Sequence, residues 1–237
     1  FWLKSQGVVS ISRISCGMGC MPIKIMQPPT YEGVMSQLPR DAFRISLFGS
    51  TEFHHENSRR LCDAIGEALA VRLGTEAVLL TGGNAVVHEV ISRRFHEEVR
   101  QRNPKLVYHL VPEGYMCPFA FGTKLKAGRD MEERREILAR CAHVGIAVEG
   151  GPGTMDEMDR ALRHGAIVVP LARSGGASKW ICEEREKDVR PPAGISPETW
   201  ALLSDETADV ERTAAAVADI ATAALAEKKP QRSTILR

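Results

Sequence analysis

The chain has 237 residues, 43% of them apolar and 26% charged, with 31 basic residues against 30 acidic ones. That supports a full core in one large α/β domain with extensions. The even charge predicts neither a nucleic-acid partner nor a membrane surface, and no apolar run approaches the roughly 20 residues of a membrane span. Six cysteines are scattered at 16, 20, 62, 117, 141 and 182. Only Cys16 and Cys20 lie close together, and no second pair completes a zinc site, so the expectation is free thiols in a reducing compartment and no metal. The chain opens on Phe1 rather than Met. The expected location is the cytoplasm, or an organelle interior if a targeting segment was removed ahead of Phe1.

Residues 1–42 read as an N-terminal extension. They carry Gly7, Gly17, Gly19, Gly33 and prolines at 22, 28, 29 and 39 without a sustained period, and would either pack on the domain or a partner or remain a loose tail. The domain proper is expected over 43–228, followed by a polar tail over 229–237.

Arg44 to Phe48 form the first expected strand, which runs into Gly49-Ser50-Thr51. Leu61, Ile65, Ala68 and Leu69 then space a helix closed by Gly74. Ala77 to Leu80 form a second strand that ends in Thr81-Gly82-Gly83, and Val87, Ile91, Phe95 and Val99 space a second helix. Leu106 to Val111 form a third strand, stopped by Pro112. A loop is expected over 113–129, carrying Tyr115, Phe119 and Phe121, which would stack a base or pack in the core or a dimer contact. A helix over 131–142, the strand Val144 to Val148, a helix over 154–164 and the strand Ile167 to Leu171 follow. Residues 172–177 read as a loop, Ser196-Pro197 as the N-cap and first residue of a short helix, and 208–226 as an Ala-rich helix.

Strands alternating with helices predict βαβ units and a Rossmann-like doubly wound parallel sheet with helices on both faces. Ligands of such sheets bind at the carboxyl ends of strands near the switch point. Three strands end there in small residues: Gly49-Ser50, Gly82-Gly83 and Gly150-Gly151.

The stretch Val144-Gly-Ile-Ala-Val-Glu-Gly-Gly-Pro-Gly-Thr-Met-Asp-Glu157 carries the chemistry. A strand that passes through glycines into a helix leaves free backbone N–H groups, which suit phosphate. Asp156 and Arg160, and Asp159 and Arg163, are spaced as i, i+4 pairs. Glu157 lies one turn in, and would either pair with Arg160 or serve a ligand. In the helix that begins at Met131, Arg134 shares a stripe with Leu138 and Cys141. An arginine on a buried face needs an anion, here Asp130, Glu157 or a ligand phosphate. His54-His55-Glu56 reads as a loop rather than as metal ligands, and Cys117 lacks a visible base.

Met131-Glu-Glu-Arg134-Arg135 followed by Glu149-Gly-Gly-Pro-Gly-Thr-Met-Asp-Glu157 resembles the paired motifs of the LOG ("Lonely Guy") family, M-x-x-R-K and P-G-G-x-G-T-x-x-E, over roughly residues 43–172. The resemblance implies a Rossmann-like homodimer that needs no metal or cofactor. Its activity would be hydrolysis of a nucleoside 5′-monophosphate to free base and ribose 5-phosphate. The catalytic pair would be Arg134 and Glu157. Phosphate or substrate contacts would come from Gly49, Ser50, Gly82, Gly83, Arg135, Gly150, Gly151, Gly153 and Thr154.

Three departures stand out. Glu149 replaces the family's proline, and a carboxylate there repels a phosphate unless it is paired. Arg135 replaces a lysine, and Thr81-Gly-Gly-Asn-Ala-Val-Val-His-Glu89 replaces a richer glycine turn, which puts Val86 and His88 where they would crowd a nucleotide or the helix–sheet contact. Glu149, the thinned glycine turn and the appended residues 1–42 favour an alternative in which the chain is a non-catalytic nucleotide-binding or structural subunit of a larger assembly. An NAD(P) oxidoreductase stands well behind, because no G-x-G-x-x-G follows the first strand.

Overall fold

The computed structural model describes residues 29–228 apart from 102 and 104. Most of the expected extension, with Cys16 and Cys20, and the tail over 229–237 lie outside the described residues. Six strands form one parallel sheet: β1 (Phe43–Gly49), β2 (Ala77–Thr81), β3 (Val107–Val111), β4 (Thr123–Lys126), β5 (Val144–Val148) and β6 (Ile167–Leu171). They lie in the order β4-β3-β2-β1-β5-β6. From β1 the chain steps outward through β2, β3 and β4, then crosses back to the other side of β1 for β5 and β6. Right-handed crossovers that step in opposite directions put their helices on opposite faces. The switch point therefore falls between β1 and β5, whose register pairs Gly49 with Val148 at the carboxyl edge.

β2, β3 and β5 are buried at every position, as their unbroken apolar runs require in a sheet covered on both faces. α2 (Ser58–Leu73), α3 (Val86–Val99) and the terminal α8 (Val210–Lys228) form one packed set through α2; α4 (Met131–Cys141), α5 (Pro152–Arg163) and α6 (Gly176–Glu184) form another through α5. A short α7 (Pro197–Ala201) is capped by the Ser196 hydroxyl, which accepts from the Thr199 amide. Cys62 and Cys141 are buried thiols in the core.

Four expectations change. The loop expected over 113–129 contains β4, an edge strand in which Leu125 alone is buried. The loop expected at 172–177 is a single 3-10 turn, Ala172–Ser174, that leads into α6. α5 begins two residues earlier than expected, at Pro152, because proline's fixed φ suits the first helical position. The extension also holds α1 (Tyr31–Met35), capped by the Thr30 hydroxyl and packed on α4, with Val34 fully buried in the core. No helix among the described residues is long and apolar enough to cross a membrane.

Candidate functional site

Where β1 and β5 part at their carboxyl ends, a cleft of about 310 Å³ opens. β1 contributes Gly49, Ser50 and Thr51, and the loop behind it His54. The start of α3 contributes Asn84, Ala85 and His88, and α4 contributes Met131, Arg134 and Arg135. α5 contributes Gly151, Pro152, Gly153, Thr154 and Glu157. Of the residues expected to contact phosphate or substrate, Gly82, Gly83 and Gly150 do not line the cleft and play supporting parts.

The α5 end of the cleft is rich in unpaired amides. Gly151 is the N-cap and has no side chain to close the helix, Pro152 has no N–H, and the amides of Gly153 and Thr154 precede the first intrahelical donor, Met155, which bonds to the Gly151 carbonyl. Such amides together with the helix dipole favour an anion. Gly150 sits at φ +96°, and a Cβ there would lie 2.5 Å from the Thr154 side chain. This glycine lets the strand turn back over its own helix. The Arg135 guanidinium lies across Gly153, 3.0 Å from where a Cβ would sit.

Arg134 and Glu157 come together. Asp130 caps α4 by accepting from the amides of Glu132 and Glu133, which fixes the turn that points Arg134 inward. Its Nη1 donates to Glu157 Oε1 at 2.5 Å, with both side chains at most 5% exposed. Glu157 Oε2 accepts no hydrogen bond among the described residues. Burial pushes the Glu157 carboxyl above the ordinary range, and the charge and hydrogen bond of Arg134 oppose that rise. The guanidinium fits because Gly82 lies beneath it: a Cβ there would stand 2.5 Å from Nη1. Arg160, the other expected partner of Glu157, is held by Asp156 and Glu136 instead.

Glu149 proves to be paired and turned away. It is 1% exposed and has φ +54°, the single non-glycine with positive φ among the described residues. Its carboxylate accepts from the Ser50 hydroxyl at 2.8 Å and from the amides of His54 and His55 at 3.0–3.1 Å. Burial raises its pKa, but the hydrogen bonds from Ser58, Ser50, His55 and His54 outweigh burial and hold the carboxyl below the ordinary range. The residue thus ties the loop after β1 to the end of β5. A proline cannot adopt this φ, so the family's proline has no direct counterpart in this backbone.

The aromatic residues of the 113–122 loop lie away from the cleft. Phe119 and Phe121 stack on each other and meet the His109 ring edge-on. His109 bridges the Thr81 hydroxyl and the Phe121 carbonyl, and burial lowers its pKa to about 4. Cys117 belongs to the same cluster, against Gly83. Sequence reasoning assigned His88 no role beyond crowding. It is 2% exposed and lines the cleft, and a histidine among the apolar positions of α3 was the available signal.

Residues 42–196 match the model of the SLOG cluster4 family, and the chain belongs to that family, within a superfamily that includes LOG proteins. No curated protein matches the chain by sequence. Among solved structures, the molybdenum cofactor (Moco) carrier protein of Chlamydomonas reinhardtii is 22% identical with a TM-score of 0.50, the match covering 78% of this chain and 99% of the other. A molybdenum cofactor binding protein of Rippkaea orientalis is 21% identical with a TM-score of 0.49, covering 66% and 91%. At such identities the likeness is one of fold.

Proposed function

We propose that this member of the SLOG cluster4 family is a nucleoside 5′-monophosphate phosphoribohydrolase, which cleaves the N-glycosidic bond to free base and ribose 5-phosphate. The observation that carries this reading is the buried Arg134–Glu157 pair, closed at 2.5 Å one turn behind an uncapped helix start in the same cleft. The 5′-phosphate would take the amides of Gly151, Gly153 and Thr154, with the Arg135 guanidinium over them as counter-charge. Gly49 and Ser50 would border the ligand on the β1 side.

With the phosphate fixed there, the sugar extends toward Glu157. Cleavage builds positive charge at C1′, and a carboxylate held beside that carbon stabilises it. Arg134 opposes the rise that burial imposes on the Glu157 carboxyl and fixes its direction. The free Oε2 then faces the ribosyl cation or orients the attacking water. Neither step calls on a metal or redox cofactor. A homodimer is part of the same proposal, tested by light scattering on the purified chain.

The assay is ribose 5-phosphate release from AMP, IMP, GMP and N6-substituted AMP by folded protein, alongside calorimetric binding of each nucleotide. Release from at least one is expected. A second reading, a carrier that holds a phosphorylated ligand without cutting it, is favoured by the closed state of the pair, in which Glu157 is already engaged by Arg134. Binding without release would select it, and absence of both would end the nucleotide reading.

A further inference from the structure

Beneath the cleft lie three buried polar atoms that no group among the described residues satisfies: both ring nitrogens of His88 and Nε of Arg134. The two side chains are neighbours. A Cβ on Gly82 would meet Arg134 Nη1 at 2.5 Å and His88 Cε1 at 3.3 Å. His88 reaches this place from the first turn of α3, and its neighbours on the same helix, Val87, Ile91 and Phe95, are core. A buried polar atom without a partner destabilises the fold that holds it. A methionine or leucine would fill the same space at no such cost, so the cluster marks a place where polar atoms from outside the chain complete the bonding.

The chemistry of the missing partner can be read from the ring. Burial, and then the Arg134 charge, hold the His88 pKa down at about 3, so the imidazole is neutral, with one N–H donor and one bare nitrogen acceptor. A phosphate oxygen accepts only, and the cleft already offers amides and Arg135 to such a group. A hydroxyl both donates and accepts, and can therefore pair with either one of the two ring nitrogens. The same Nη1 of Arg134 that donates to Glu157 lies over Gly82, beside His88.

We infer that His88 and the unpartnered Nε of Arg134 form a subsite for a hydroxyl of the ligand's sugar, with His88 as the specificity-determining residue that separates ribose from deoxyribose phosphates. This inference rests on the proposed reading that the cleft takes a phosphorylated sugar, but it requires no cleavage.

The test uses calorimetry with four probes, AMP, 2′-deoxy-AMP, ribose 5-phosphate and 2-deoxyribose 5-phosphate, on the full chain and on His88→Phe and His88→Asn. The unmodified chain should bind each ribose compound at least about tenfold more tightly than its deoxy counterpart, since one unmet buried hydrogen bond is worth that much. His88→Phe, which keeps the ring and removes both nitrogens, should bring the ratio close to one for both pairs while leaving affinity for the deoxy compounds unchanged. His88→Asn, which keeps a donor and an acceptor, should restore part of the ratio. It serves as the decisive variant if His88→Phe fails to fold. A preference that survives His88→Phe, or no preference in the unmodified chain, overturns the inference and shows trapped water or packing. A ratio that collapses for AMP but not for ribose 5-phosphate overturns it too, because His88 would then read the base. Failure of cleavage with the ribose preference intact would remove the hydrolase reading alone. Failure of every probe to bind would remove both.

Discussion

Two buried glutamates, eight residues apart, lie at the same carboxyl edge in opposite surroundings. Glu149 is surrounded by donors: the Ser50 hydroxyl and the amides of His54 and His55 bond to its carboxylate, and its pKa falls. Glu157 has a single hydrogen bond among the described residues, from Arg134, and its pKa rises. Both are nearly closed to solvent, at 1% and 4% exposed; burial pushes both carboxyls up, and only at Glu149 do the hydrogen bonds outweigh it. A carboxylate satisfied on every side holds a fold together, whereas one left with an open oxygen beside a cleft is available for chemistry.

The largest break in that comparison is expected at Glu149. Glu149→Leu leaves the Ser50 hydroxyl and two amides without an acceptor and should cost roughly 3–5 kcal/mol of stability, read as the shift of a denaturant midpoint. Glu149→Pro should yield no folded protein, because the ring forbids φ +54°. A small loss in both would mean that the loop after β1 is held by something else.

Glu157→Gln should instead act on turnover, with a loss of about 10²-fold or more in ribose 5-phosphate release while AMP affinity changes little. Gly82→Ala should cost about tenfold in the same assay, because the added methyl pushes the Arg134 guanidinium off its position. Unchanged turnover there would mean that the placement of Arg134 is unimportant.

pH separates the two acids more gently. The folded-state pKa of Glu149 lies below its unfolded value, so its contribution to stability is present above about 4.5 and is lost as pH falls through the lower folded value. The stability gap between the unmodified chain and Glu149→Leu should therefore be constant above about pH 4.5 and narrow as pH falls below it. Glu157 has its pKa raised, so turnover should fall at a pH above the ordinary carboxylate range, while the Glu149 contribution is still intact. Loss of both in one step would erase the distinction.

Much of this edge was legible in the residues. The apolar run over 144–148, the glycine turn and the stripe of Arg134, Leu138 and Cys141 gave the strand, the helix start and the inward arginine, because each is a local pattern. β4 escaped because Thr-Lys-Leu-Lys at a sheet edge buries one side chain and looks like a loop. α6 escaped because Gly175 and Gly176, both at positive φ, punctuate its start, and only Ala177 and Ile181 mark its face. The role of Glu149 was hidden for a different reason. Its partners lie about 95 residues away in sequence, and spacing along the chain does not show which loop folds back onto a strand end. His88 looked like an obstruction because the sequence does not show that both ring nitrogens would lack partners.

The most direct test of the central claim follows ribose 5-phosphate from AMP, IMP and GMP with the unmodified chain and Glu157→Gln side by side, both shown folded by their melting curves. The account predicts release by the unmodified chain and at least about 10²-fold less by the variant at similar nucleotide affinity. Equal release by both proteins, or none by the unmodified chain while it binds nucleotide, would contradict it.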